Sequence, residues 1–331
     1  MTELSGTRVL VTGANGFIGS HLTERLMDEG AQVTAFCEYN SQCSLGWLDE
    51  LSPERSEYLD VKLGDIRDKR FVHEAVSNVD VVFHLAALIA IPYSYQAPAS
   101  FVETNINGTL NVLEAVRDTP HVRMINTSTS EVYGTPESVP IAETHRLRGQ
   151  SPYAATKIAA DQLCEAYART FETHVVTLRP FNTFGPRQSA RAIIPTILGQ
   201  LLAGATTVRL GNLTPQRDLT FVTDTVDGFI RMATTDLPPG ETIHLGTGQT
   251  VSIADLFTLC CEVTGTNADV IADAERIRPT ASEVQVLLSD PSKAKHLLEW
   301  QAGTTLRDGL AETLRWLTPR ADTHRAAWYQ R

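Results

Sequence analysis

Tyr153 and Lys157 stand four residues apart in the run Ser151-Pro152-Tyr153-Ala154-Ala155-Thr156-Lys157. On a helix that spacing puts both side chains on one face, with Cβ atoms roughly 5–6 Å apart. An ammonium beside a phenol favours the phenolate, which predicts a tyrosine able to act as a base near neutral pH. Far upstream, Gly13-Ala14-Asn15-Gly16-Phe17-Ile18-Gly19 follows the strand-like Arg8-Val9-Leu10-Val11-Thr12. Glycines at 13, 16 and 19 permit a tight turn and let a pyrophosphate approach a helix N-terminus, with Asn15, Phe17 and Ile18 completing the turn. In this order the two motifs predict redox chemistry on an alcohol, by a dinucleotide whose nicotinamide faces Tyr153.

Further polar residues fall where strands end. Thr127-Ser128-Thr129-Ser130-Glu131-Val132-Tyr133-Gly134 leaves the fifth strand at the carboxyl edge of the sheet, where open α/β folds bind ligands. The Thr129 hydroxyl is placed to hydrogen-bond the oxygen that Tyr153 deprotonates. Glu131 adds a carboxylate that simple alcohol oxidation does not require. At the end of the second strand the position for an acidic ribose ligand falls on Cys37, with Glu38 beside it. Glu38 would repel a 2′-phosphate and no arginine is near in sequence, which favours NAD over NADP. Asp65-Ile66 after the third strand is placed to flank adenine, and Leu85-Ala86-Ala87 after the fourth to line the cofactor.

These residues need a frame. The first half alternates strand-like segments (8–12, 32–36, 58–63, 79–85, 123–128, 174–178) with helix-like ones (18–29, 70–76, 100–117, 153–171), the pattern of a parallel sheet with crossover helices. Residues 241–245 read as a last strand returning to that sheet, and helices are expected at 253–263, 291–298 and 306–317. The expected fold is α/β, a Rossmann-type doubly wound parallel sheet with a smaller mixed α/β C-terminal substrate lobe. Residues 1–181 and 219–247 are assigned to the dinucleotide domain, 182–218 and 248–331 to the lobe.

The chain of 331 residues is 42% hydrophobic, enough for such a core. Its formal charge of −11, from 28 basic and 39 acidic residues, argues against a nucleic-acid partner. No stretch approaches the roughly 20 apolar residues of a membrane span. Cys37, Cys43, Cys164, Cys260 and Cys261 show no metal-type spacing, so no metal is expected and reduced cytoplasmic thiols are.

In series, the glycine turn, His84-Leu85-Ala86-Ala87, the 129–134 run, Tyr153-x-x-x-Lys157, Arg179-Pro180-Phe181-Asn182-Thr183-Phe184-Gly185-Pro186-Arg187, Arg217-Asp218, Arg278-Pro279 and Leu297-Leu298-Glu299-Trp300 resemble the extended short-chain dehydrogenase/reductase family over nearly the full length. The similarity is to its nucleotide-sugar epimerases, dehydratases and decarboxylases. Residues 44–49, 87–95 and 185–195 look most like the UDP-N-acetylglucosamine-type 4,6-dehydratases of legionaminic acid and related amino-sugar pathways. The resemblance implies a nucleotide-sugar substrate and a homodimer built on the 100–117 and 153–171 helices. It also implies that Thr127 and Pro180 join the cofactor contacts, that Ile89 meets the sugar, and that Asn182, Arg217 and Arg278 hold diphosphate and ribose. Arg187 and Arg191 would lie near the sugar or the phosphates.

The implied reaction is oxidation at C4 by Tyr153 and NAD, removal of the C5 proton by Glu131, loss of water from C6 and reduction at C6. One departure stands out. Glucose-type 4,6-dehydratases place an aspartate before that glutamate, where this chain has Ser130. A serine hydroxyl is a poor general acid, so either Ser130 positions a water or Glu131 handles both protons. The Thr-Ser-Glu triplet also occurs in the resembling UDP-glucuronate decarboxylases, the alternative activity, with another epimerase of the family beside it. A dinucleotide-binding sensor without chemistry is the remote alternative.

Overall fold

The computed structural model describes residues 4–273, 276 and 279–323. Seven parallel strands form one sheet: β1 (Arg8–Thr12), β2 (Gln32–Glu38), β3 (Asp60–Gly64), β4 (Val81–His84), β5 (Arg123–Thr127), β6 (Val175–Pro180) and β7 (Thr242–Leu245). Their order across the sheet is β7-β6-β5-β4-β1-β2-β3, with parallel register throughout, for example Thr12 beside His84 and His84 beside Asn126. Because successive strand side chains alternate faces, two separate cores form. Val9, Val11, Phe83 and Ile125 pack with helices α1 (Phe17–Asp28) and, further along, Val222–Thr234. Leu10, Val82 and Met124 pack on the other face with α2 (Lys69–Val76), α3 (Gly108–Arg117) and α4 (Pro152–Phe171).

The register puts the ends of β1, β4, β5 and β6 along one edge. Short pieces are added beside it: Asn182–Phe184 pairs in parallel with Leu219–Phe221, and Gln216–Arg217 lies between Val251–Ser252 and Val286–Leu287. Helices Ile193–Leu202, Ile253–Thr264 and Leu306–Leu317 contribute to the larger core. Asp218, fully buried, latches this part to the turn after β7 by accepting from Thr247 N at 2.8 Å, Thr247 Oγ1 at 2.7 Å, Gly248 N at 3.0 Å and Ser289 Oγ at 2.5 Å. Among the described residues no helix is long and apolar enough to cross a membrane, and no cluster of His, Cys, Asp and Glu could hold a metal.

The helix expected over 100–117 is continuous from Pro98 to Arg117 but is not α-helical throughout. Its middle, Val102–Asn107, is a π-helix set between α-helical Pro98–Phe101 and Gly108–Arg117. The wide turn accommodates Asn105, which is buried and clamps Leu88 by accepting from its N–H at 2.8 Å and donating to its carbonyl at 2.9 Å. Asn105 Nδ2 also donates to Thr156 Oγ1 on α4 at 3.0 Å. Apolar periodicity does not distinguish a π-turn from an α-turn, so only the side-chain bonds explain this departure.

Candidate active site

The glycine turn leaves β1 and enters α1. Gly13 has φ +70°, and a Cβ there would meet Ala86 N at 2.9 Å, so the turn closes directly on the end of β4. A Cβ on Gly19 would lie 2.1 Å from the Gly13 carbonyl oxygen. Gly16 caps α1 without any side-chain bond, and the first turn holds no acidic residue. The N–H groups of Phe17, Ile18 and Gly19 are therefore open at the positive end of the helix, which suits a pyrophosphate. These features fit a dinucleotide. Gly19→Ala should lower dinucleotide affinity at least about 10-fold by pushing α1 off the turn. Titration calorimetry with NAD checks this, and parent-like affinity would remove Gly19 from the cradle.

The end of β4 is fixed by a buried chain of hydrogen bonds. Thr12 Oγ1 accepts from Leu85 N and Ala86 N, both at 3.1 Å, and lies 2.9 Å from His84 Nδ1. His84 Nε2 is 3.0 Å from Thr109 Oγ1, which donates to Asn105 O at 2.7 Å. With both hydroxyl protons so directed, Nδ1 accepts and Nε2 carries the proton. Burial drives the His84 pKa down to about 3, so the ring stays neutral.

Ser151 caps α4 by accepting from Ala154 N, Pro152 opens the helix, and Tyr153 therefore sits in its first turn. Burial raises the Tyr153 pKa well above the ordinary phenol range; a hydrogen bond with Thr129 pulls it down, and the Glu131 charge raises it further. Thr129, Glu131 and Tyr153 thus share one site. Thr129 caps the short 3₁₀ turn Ser130–Tyr133, its Oγ1 accepting from Glu131 N at 3.3 Å. Ser130 is buried and Glu131 half-buried.

Lys157 follows one turn later on α4. Its buried Nζ donates to the Thr127 carbonyl at 2.6 Å, and the groups that shift the Tyr153 phenol do not include it. Burial lowers its pKa, and Asp161 opposes that. In this structure the Lys157 ammonium is engaged with the end of β5. The Thr129 hydrogen bond is the contact that favours the Tyr153 phenolate, and Asp161 joins Glu131 in opposing it.

Glu38 is exposed at the tip of β2, and Cys37 is fully buried, its thiol pushed up to about 11 by burial. Asp65 stands at the end of β3, its carboxylate bonded to Arg67, with Ile66 buried behind it. Leu85, Ala86 and Ala87 line the edge half-buried, Thr127 and Pro180 end β5 and β6, and Ile89 is 64% exposed. Asn182 Oδ1 is buried without a hydrogen-bond partner, an acceptor that a ligand donor would satisfy. Arg217 is buried and paired with Glu283 at 3.1 Å. Arg191 is exposed, and Arg278 lies outside the described residues. Arg187, expected near the sugar or phosphates, pairs with Glu24 of α1 at 2.7 Å. Its backbone has a left-handed φ of +67°, and its Nη1 is buried without a hydrogen-bond partner.

Sequence reasoning missed Asn105, Asp161, Arg179 and His244. Asp161 was within reach, standing one helical turn beyond Lys157 as Lys157 stands beyond Tyr153. Arg179, a lone cation in the buried strand Val-Val-Thr-Leu-Arg-Pro, required a buried carboxylate.

A seven-stranded parallel sheet, a glycine turn feeding α1, and a tyrosine and lysine on α4 define a nucleotide-dependent enzyme fold of the extended short-chain dehydrogenase/reductase type. The chain belongs to the GDP-mannose 4,6 dehydratase family, which matches residues 10–313. It is 32% identical to the UDP-glucose 4-epimerase of Mycolicibacterium smegmatis, over 93% of this chain and 97% of that protein. It is 30% identical to the dTDP-glucose 4,6-dehydratase of Xanthomonas campestris pv. campestris, over 93% and 92%. A variant UDP-glucuronic acid 4-epimerase of Bacillus cereus, solved in complex with UDP-4-deoxy-4-fluoro-glucuronic acid and NAD, superposes with TM-score 0.86 at 28% identity, covering 95% of this chain and 99% of that one. The chain is therefore a member of a nucleotide-sugar-modifying family in which epimerases and dehydratases are equally prominent relatives.

Proposed function

We propose that this protein is an NAD-dependent nucleotide-sugar 4,6-dehydratase acting on UDP- or GDP-linked N-acetylglucosamine. The observation that carries the reading is the Glu131 carboxylate, close enough to the Tyr153 phenol to oppose its ionisation. A 4-epimerase needs one base at C4; a dehydratase needs a second at C5.

When bound, NAD supplies reversible two-electron redox chemistry and, oxidised, a positive ring charge that favours the phenolate. Tyr153 removes the C4 hydroxyl proton while Thr129 holds the oxygen line by hydrogen bonding. Lys157 holds the end of β5 through the Thr127 carbonyl. The C4 ketone acidifies C5–H, Glu131 takes that proton, and water leaves from C6 across the new C5–C6 double bond. The two electrons removed at C4 are returned at C6, and the product is a 4-keto-6-deoxy sugar with no net redox change. Glu131 passes the proton it took to the departing C6 hydroxyl, which leaves as water with the buried Ser130 fitting a role in holding it, and C5 takes a proton from solvent as C6 is reduced. A second copy of the chain, packed on α3 and α4, is the expected partner.

The test is a product scan by mass spectrometry with UDP- and GDP-N-acetylglucosamine, UDP-glucose, dTDP-glucose and UDP-glucuronate. Loss of water from an amino-sugar nucleotide is the expected result. Loss of carbon dioxide from UDP-glucuronate, or epimerisation without mass change, would overturn the reading.

A further inference from the structure

Behind the site lies a buried polar chain that none of the catalytic steps uses. Asp161, on the Lys157 face of α4, accepts from Ser128 Oγ at 2.6 Å and from Arg179 Nε at 3.0 Å. Its side chain is 2% exposed and that of Arg179 6%. Arg179 Nη1 donates to the Tyr133 hydroxyl at 2.6 Å, and the same hydroxyl lies 2.5 Å from His244 Nε2 on β7. Burial raises the Tyr133 pKa to about 12 and lowers that of His244 to about 3. The phenol is therefore protonated and, already accepting from Arg179, donates to a neutral imidazole.

Ser128 and Tyr133 are the two ends of the segment that carries Thr129, Ser130 and Glu131. One carboxylate holds both, the first directly and the second through a guanidinium whose planar fork spans the gap. We infer that Asp161, Arg179 and Tyr133 are positioning residues that set Glu131 over C5, a role separate from the C4 oxidation performed by Tyr153. This rests on the dehydratase reading and adds a division within it. Besides its bond with Thr129 of this segment, Tyr153 is anchored on α4 by the Ser151 cap and by a T-shaped contact with Phe101 at 6.3 Å, so loosening the segment moves Glu131 more than Tyr153.

Two conservative variants test the ends separately. Tyr133→Phe keeps the ring and removes the hydroxyl; Ser128→Ala removes the other attachment. For each, C4 oxidation is followed by quenching and mass analysis of the 4-keto sugar, and C5 proton removal by exchange with solvent deuterium. The expected result is a fall in C5 exchange of roughly 10-fold or more, with C4 oxidation and KM close to the parent, because small misplacements of a catalytic group are costly. Equal losses in both steps, the mark of general destabilisation, or no loss in either, would overturn the tether. If one variant does not fold, the other still decides. A parent enzyme that oxidises C4 but shows no C5 exchange would instead sink the dehydratase reading, and the tether with it.

Discussion

Tyr153→Phe should lower turnover by about 10³-fold, within the 10²–10⁴ range that a positioned acid–base group contributes, while nucleotide-sugar affinity stays near the parent value. The ring is buried and packs on Phe101, and a phenylalanine keeps that contact, so the fold should tolerate the change. The variant loses only the hydroxyl that bonds with Thr129 and would take the C4 proton. Initial rates and calorimetric titration separate the two effects. Retained activity would remove Tyr153 as the base. A matching loss of affinity would place the hydroxyl in binding.

Glu131→Gln should be nearly as damaging overall, with a loss on the order of 10²-fold or more, but of a different kind. The amide cannot take the C5 proton, so oxidation at C4 should proceed and the 4-keto sugar accumulate without eliminating water. Solvent deuterium should no longer enter at C5. A second effect follows from charge: Glu131 opposes ionisation of Tyr153, and its neutralisation eases it. The pH at which C4 oxidation reaches half its maximal rate should therefore move down in the variant. Wild-type behaviour in both exchange and elimination would leave the dehydratase reading without its second base.

The frame of this molecule was legible because its strands are buried on both faces and its turns are punctuated. Arg8–Thr12 coincides with the observed strand, and the glycine turn, the 129–134 run and Tyr153 fall at the sheet edge as their spacing requires. What was not legible depends on long-range partners. Lys157 donates to the Thr127 carbonyl at the end of β5, a partner that no local pattern encodes. Arg187 pairs with Glu24, 163 positions earlier in the chain, from a left-handed backbone that an arginine seldom adopts. The π-turn at 102–107 is set by Asn105 reaching back to Leu88. In each case the residue type was visible and its partner was not.

The Ser130–Tyr133 turn is four residues long; Ser128 before it and Tyr133 at its end are tied into the buried polar chain, and Val132 is packed in a small apolar cluster. On the proposed mechanism, Tyr153 on α4 and the glycine turn would make the ketone, with Thr129 the one group shared with this turn. In evolutionary terms the fate of that ketone is a separately heritable trait. Substitutions inside one short turn can redirect a shared oxidised intermediate to a new product without disturbing the costly apparatus that generates it. Proteins about one-third identical over their whole length can then part company in product while keeping one scaffold, and overall similarity is a poor guide to which product a given member makes.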